Sequence, residues 1–343
     1  MKTALMIVLI VALAAITAFS QQAPTLRIVT EDPTLPSELY YGDIKVKPLR
    51  LRPGTNVPIT IDDADFFTSQ HYVDFLRRFP DAPGLTFWTD KVTTQTSECT
   101  DQVKRFPGES VAACADRKRA NTSAAFFLSP EFQNTGSFVV RVYWGTLGKQ
   151  PNANCPSLPS GLSGQCRPLY SDYIADMSQI AKGIVVNDQL DPNVINANKQ
   201  AFVNQFVNTT AFKAKYDGLS NQAFVDTLFQ TTGINASASD RAALVSGLNG
   251  TTETKASVVF KVVDGTTTQA GGALAFNTTY GKAFYDKEFD DAFVFMEYIG
   301  YLRRNPDQAG YENWLAKLKL YGNWSDAEMV LAFIRAPEFR NRF

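Results

Sequence analysis

The chain carries a single histidine, His71, so the chemistry one imidazole can support is the first question. A nucleophilic triad needs a marked Ser or Cys beside the base, and a zinc protease needs further imidazoles. Asp65 and Asp74 are near His71 in sequence, but nothing marks a nucleophile, and the matching position in a later repeat is Glu297. His71 therefore reads as a solvated helix position. No G-x-S-x-G elbow, G-x-G-x-x-G turn or phosphate loop is present. The acidic clusters Asp62-Asp63-Ala64-Asp65 and Asp286-Lys287-Glu288-Phe289-Asp290-Asp291 lack the loop grammar of an EF-hand. Both read as acids preceding helices, where they suit the positive end of the dipole. The expectation is a non-enzyme with no catalytic residue, no metal ligand and no cofactor. A hydrolase using two carboxylates is the least favoured alternative, because separation in space is invisible in sequence.

Cys99, Cys114, Cys155 and Cys166 are the other reactive side chains. An even number in an exported chain favours disulfides. Three pairings are possible, and proximity favours Cys99 with Cys114 and Cys155 with Cys166. Closing a loop of roughly 15 residues stabilises by about 3 kcal/mol in the chain-entropy account. Zinc is disfavoured, since no pair has C-x-x-C spacing and His71 lies elsewhere.

The elements that would position these groups are set by a repeat. Residues 72–88 read Tyr72-x-x-x-Leu76-Arg77-Arg78-x-Pro80-Asp81-x-x-Gly84-x-x-x-Trp88, and residues 298–314 repeat the pattern without a gap from Tyr298 through Arg304, Pro306, Asp307 and Gly310 to Trp314. Phe126-Phe127-x-x-Pro130-Glu131-Phe132 follows the first copy, and Phe333-Ile334-x-x-Pro337-Glu338-Phe339 the second. A worn third version spans Phe206 to Phe212 and Phe224 to Leu228, without the Arg-x-Pro-Asp corner.

Phe66, Val73 and Leu76 recur near helical spacing, with Phe67 and Phe75 widening the apolar face. Arg77 and Arg78 suit a last turn, Pro80 cannot continue the helix, and Asp81 is a good N-cap for the next. Gly84 allows close approach, and Trp88 falls one turn later. The unit reads as a helix-turn-helix corner in which Trp88 and Trp314 are core residues rather than sugar platforms. On that reading Trp88→Ala costs roughly 3–5 kcal/mol.

The organisation follows. Lys2, the apolar run from Ala4 to Phe19 and the small residues Ala18 and Ser20 predict a signal peptide over 1–20, cleaved before Gln21. Its run is shorter than the roughly 20 residues a span needs, and no later run approaches that length, so no membrane span is expected after cleavage. Residues 21–60 read as an arm with an extended stretch or short strand pair, residues 61–185 as the first repeat region with a disulfide-stapled loop, and residues 186–343 as the degenerate middle repeat and the C-terminal repeat. Residues 148–168 and 264–282 read as long loops. The charge balance, 33 basic against 34 acidic side chains, excludes the usual basis for nucleic-acid binding. N-x-S/T sequons stand at Asn121, Asn208, Asn235, Asn249, Asn277 and Asn323.

The corner and its follow-on element resemble the domain of unknown function 4214 family, over roughly residues 61–343. The resemblance implies an exported or surface-associated bacterial protein with an all-α fold of packed helical hairpins, like the helical domain of phycobilisome linkers. It also makes the Cys99 and Cys114 pair familiar among exported members, and it brings no catalytic residues. The expected role is a non-catalytic structural or protein-interaction protein of the bacterial envelope or exterior, assembling with other proteins or with itself. The alternative is a carbohydrate-binding module for surface glycans, motivated by the aromatics and the Asn/Thr-rich loops.

Overall fold

In the computed structural model the described residues are 26–29, 38–41, 44–46, 52, 57–149, 168–184, 186–187, 189–264, 266–268, 274–325 and 328–343. The expected signal peptide and the expected Cys155–Cys166 pair lie outside them. Residues 1–50 form one compact unit and residues 51–343 another. The first contains an antiparallel meander of β1 (Leu26–Val29), β2 (Glu38–Tyr41) and β3 (Ile44–Val46), with Leu26 opposite Tyr41 and Leu39 opposite Val46. The arm thus holds three strands where its sequence reads as one extended stretch or a pair.

The second unit is helical, and the fold class is all-α. Helix α1 (Ala64–His71) widens into a π turn (Tyr72–Leu76) and stops at Arg77, whose φ of 55° is left-handed. The Asp81 carboxylate accepts from Gly84 N at 2.8 Å and starts α2 (Ala82–Ser97). Ser110 caps α3 (Val111–Phe127), and Ser129 caps α4 (Pro130–Asn134). Helix α5 (Gly136–Leu147) is apolar almost all round, and nearly all of it is buried. It packs against α9 (Asn221–Thr232), α11 (Lys255–Val263) and α12 (Thr279–Glu297), so it is the hub of the unit.

Between these lie α6 (Tyr170–Ala181), α7 (Pro192–Phe206), α8 (Thr210–Tyr216) and α10 (Ala238–Asn249). Two small hairpins join them: β4 (Val186–Asn187) with β5 (Gln189–Leu190), and β6 (Thr266–Thr268) with β7 (Leu274–Phe276). The second hairpin stands where the sequence reads as a loop. Helix α12 runs into another π turn (Tyr298–Leu302), which ends at Arg303 with φ 52°. Then follow α13 (Gln308–Tyr321), capped by Asp307, α14 (Met329–Arg335) and α15 (Pro337–Arg340). One core spans both repeat regions: Phe127 meets Phe293 edge-on at 4.3 Å, and Trp144 meets Phe295 at 5.8 Å.

Two expectations about the acids need correcting. The 286–291 cluster does not precede a helix but sits within α12, where buried Glu288 and Asp291 pair with Lys149. Asp63 is the N-cap residue of α1, yet its carboxylate does not cap it. It accepts instead from Thr60 N at 2.7 Å and pairs with Arg52 at 2.8 Å. The apolar periodicity carried the helices, but the side-chain direction of each acid was decided by cations distant in sequence.

Candidate functional site

The repeated residues build two matching corners. In the first, the Arg78 guanidinium forks onto Glu131, with Nε–Oε1 at 2.7 Å and Nη2–Oε2 at 2.9 Å, and its third nitrogen reaches Asp81 at 3.1 Å. In the second, Arg304 forks onto Glu338 at 2.6 and 3.1 Å and reaches Asp307 at 3.5 Å. Each arginine also lies over a tyrosine ring, Arg78 over Tyr72 and Arg304 over Tyr298. Gly84 and Gly310 leave room for those tyrosines: a Cβ at either would run into the hydroxyl of Tyr72 or Tyr298. Pro80 and Pro306 stand between arginine and capping acid, outside the helices. The worn repeat has Ala211 where Glu131 and Glu338 stand, so the corner arginine and its carboxylate partner are missing together.

Trp88 and Trp314 are half-buried, which corrects their reading as core residues. One side of Trp88 packs on Phe126 at 4.8 Å, and the Lys91 ammonium lies 4.9 Å from its ring. Trp314 repeats this with Phe333 at 5.8 Å and Lys317 at 4.8 Å. Part of each ring packs on the core and part meets water, with a lysine ammonium over the ring. Truncating either should cost less than a fully buried tryptophan would.

The two π turns touch each other, and Phe75 meets its counterpart Tyr301 edge-on at 5.1 Å. A polar seam lies beside this contact. His71 is buried between the rings of Phe67, Phe75, Phe126 and Tyr301, not solvated as its sequence suggests. Its Nδ1 donates to Phe67 O at 2.8 Å, so Nε2 accepts from the Ser123 hydroxyl at 2.6 Å, and Ser123 in turn accepts from Tyr301. Burial pushes the imidazole down to about 4. The Ser123–His71 pair resembles a nucleophile and its base, but both are sealed in the core, with no room for a substrate.

Glu297, the counterpart of His71, is also buried, and its carboxyl has no hydrogen-bond partner among the described residues. Burial pushes it well above the usual carboxylate range. Asp74 completes the seam, pairing with Arg303 at 3.0 Å and Arg342 at 2.7 Å. Burial opposes its charge, but the two guanidinium groups outweigh that and hold it below the usual range.

A second polar knot escaped sequence reasoning altogether. Buried Asp264 accepts from Arg141 at 2.7 Å and Lys199 at 2.6 Å, joining α5, α7 and the end of α11. Lys199 also reaches Asn134 at 3.0 Å and Thr266 at 2.8 Å. No motif links these positions, and Arg141 and Asp264 alone are 123 residues apart, so only the contact identifies them.

One cavity of about 460 Å³ opens at the surface of this unit, lined by residues of α3, the segment before it, and the stretch after α13. Phe106, Arg117, Asn121, Trp324, Ser325 and Glu328 supply its aromatic and polar groups. Among the described residues its lining holds one carboxylate, Glu328. The desolvated acid Asp176, raised to about 6 by burial, lies elsewhere on α6, where the Tyr143 hydroxyl donates to it at 2.8 Å. The wall carrying Phe106 is tied by the Cys99–Cys114 disulfide, the pairing that proximity favours. That bond suits an oxidising compartment. Among the described residues no helix is long and apolar enough to cross a membrane, and no three His, Cys, Asp or Glu side chains gather to hold a metal.

The family model for the domain of unknown function DUF4214 matches residues 272–343. That segment is a DUF4214 domain. It contains the whole second corner, from Tyr298 to Phe339, while the first corner lies outside the match and carries the same bonds. No curated protein and no solved structure matches the chain.

Proposed function

We propose that the protein is a non-catalytic structural or protein-interaction protein of the bacterial envelope or exterior, and that it self-assembles through its first corner. One observation carries this reading. Phe79 and Phe87 are 74% and 59% exposed, at positions where the second corner has Asn305 and Asn313. Large aromatic side chains held in water on a rigid helix corner suit a protein contact. Arg78, Asp81 and Glu131 support it indirectly, because their side chains serve the corner itself and fix the surface that bears Phe79. Export is part of the proposal and draws support from the disulfide.

Light scattering on the purified mature chain tests it. The expected result is a mass of several chains that falls to one chain in the double variant Phe79→Asp, Phe87→Asp. A single chain at every concentration, together with turnover of a cell-wall polysaccharide, would overturn it. A carbohydrate-binding module is the second reading, favoured by the aromatic cavity beside Trp324.

A further inference from the structure

We propose that the cavity between α3 and the stretch after α13 binds a sugar ring of an uncharged glycan; this rests on the carbohydrate-binding reading and assigns it a place. The cavity has the size of a small-molecule site and mixes rings with polar groups, as such sites do. Phe106 is 61% exposed, and Trp324 is half-buried with part of its ring packed on the core. Aromatic faces of this kind stack on the C–H face of a sugar, while nearby polar groups bond its hydroxyls.

The polar groups fall into two sets. Arg117 is held in place: its Nε and Nη2 fork onto Glu109 at 2.8 Å each, and its guanidinium lies 4.1 Å from the Phe106 ring. Its hydrogen bonds to Glu109 hold that carboxylate ionised, down to about 2, so the two charges cancel and Arg117 acts as a brace for Phe106. Asn121, Ser325 and Glu328 form the second set. All three are exposed, and none makes a side-chain hydrogen bond among the described residues. They present an amide, a hydroxyl and a carboxylate to the cavity, enough to both donate to and accept from sugar hydroxyls. Glu328 holds a left-handed backbone, φ 53°, a conformation uncommon for a non-glycine residue.

Charge selects the class of sugar. Arg117 is paired with Glu109, and among the described lining residues the uncompensated charge is the Glu328 carboxylate, which repels uronic acids and accepts from neutral hydroxyls. The Cys99–Cys114 bond spans the segment that carries Phe106, so the site depends on an oxidising exterior.

A glycan array of neutral, N-acetylated and uronic-acid oligosaccharides, probed with the full mature chain, tests the proposal, with calorimetric titration of each hit. Saturable binding of a neutral or N-acetylated oligosaccharide is expected, weakened at least tenfold by Trp324→Ala and by Asn121→Ala. The second variant removes an exposed side chain with no hydrogen bond among the described residues, so it keeps the test valid if Trp324→Ala disturbs the fold. Binding that survives Asn121→Ala and Glu328→Gln would overturn this site while leaving a carbohydrate role elsewhere. No glycan bound at all would remove the carbohydrate reading together with the site. Preference for uronic acids would overturn the charge argument.

Discussion

The two corners share sequence, bonds and π turns, yet one is shielded and the other open to water. Arg78 and Glu131 have side chains 12% and 9% exposed, whereas Arg304 and Glu338 are at 41% and 47%. The same ion-pair arrangement therefore sits in two dielectric settings. A shielded pair that loses one partner leaves a desolvated charge, while an exposed pair is screened and contributes little. Sequence identity between repeats does not imply equal energetic weight.

The largest expected effect breaks the shielded corner. Arg78→Ala should destabilise by about 3 kcal/mol, because Glu131 is left without its partner, and urea unfolding measures this. An equal loss in Arg304→Ala would refute the contrast. Next comes the contrast between His71 and Glu297, which hold equivalent positions with opposite pH behaviour. The fold keeps His71 neutral, so its contribution is complete above pH 6.5 and is lost as pH falls towards 4, a change of about 3 kcal/mol. Paired Asp74 adds to the acid loss at lower pH, as its carboxylate is held below the usual range.

Burial also favours the neutral form of Glu297, but here the folded value is raised. Its contribution is complete below about 4.5 and is lost as pH rises above that. Glu297→Gln should match the parent at pH 4 and become more stable than it at pH 7. Thermal unfolding across that range measures the divergence; parallel curves would show that Glu297 is ionised in the fold.

Smaller and equal effects are expected from the glycines. Gly84→Ala and Gly310→Ala should each cost about 1–3 kcal/mol, because the added methyl meets a tyrosine hydroxyl in both corners. Unequal costs would show that exposure relaxes the second corner. Arg304→Ala is the smallest, under about 1 kcal/mol and smaller still in high salt.

Much of this architecture was legible in the chain. The helix starts at Asp81 and Asp307 follow from cap chemistry, and the Cys99–Cys114 pairing follows from proximity. Recurrence of the corner announced matched helical hairpins. What could not be read were the partners: Glu131 is 53 residues from Arg78, and Arg342 lies 268 residues from Asp74. His71 looked solvated because helical register alone does not say which face another repeat will cover. The cavity was equally hidden, since Phe106, Asn121 and Trp324 share no motif and meet only after α3 and the C-terminal stretch pack.

Local rules thus determined that the corner helices stop before Pro80 and Pro306, that Asp81 and Asp307 start the next ones, and that two copies of one corner exist, because caps, proline and apolar period act within a few residues. Only the tertiary structure decided how deeply each corner is buried, that burial favours the neutral forms of His71 and Glu297, and where an open cavity remains. Burial and the ionisation it controls depend on neighbours brought from afar, and no local pattern encodes those distances.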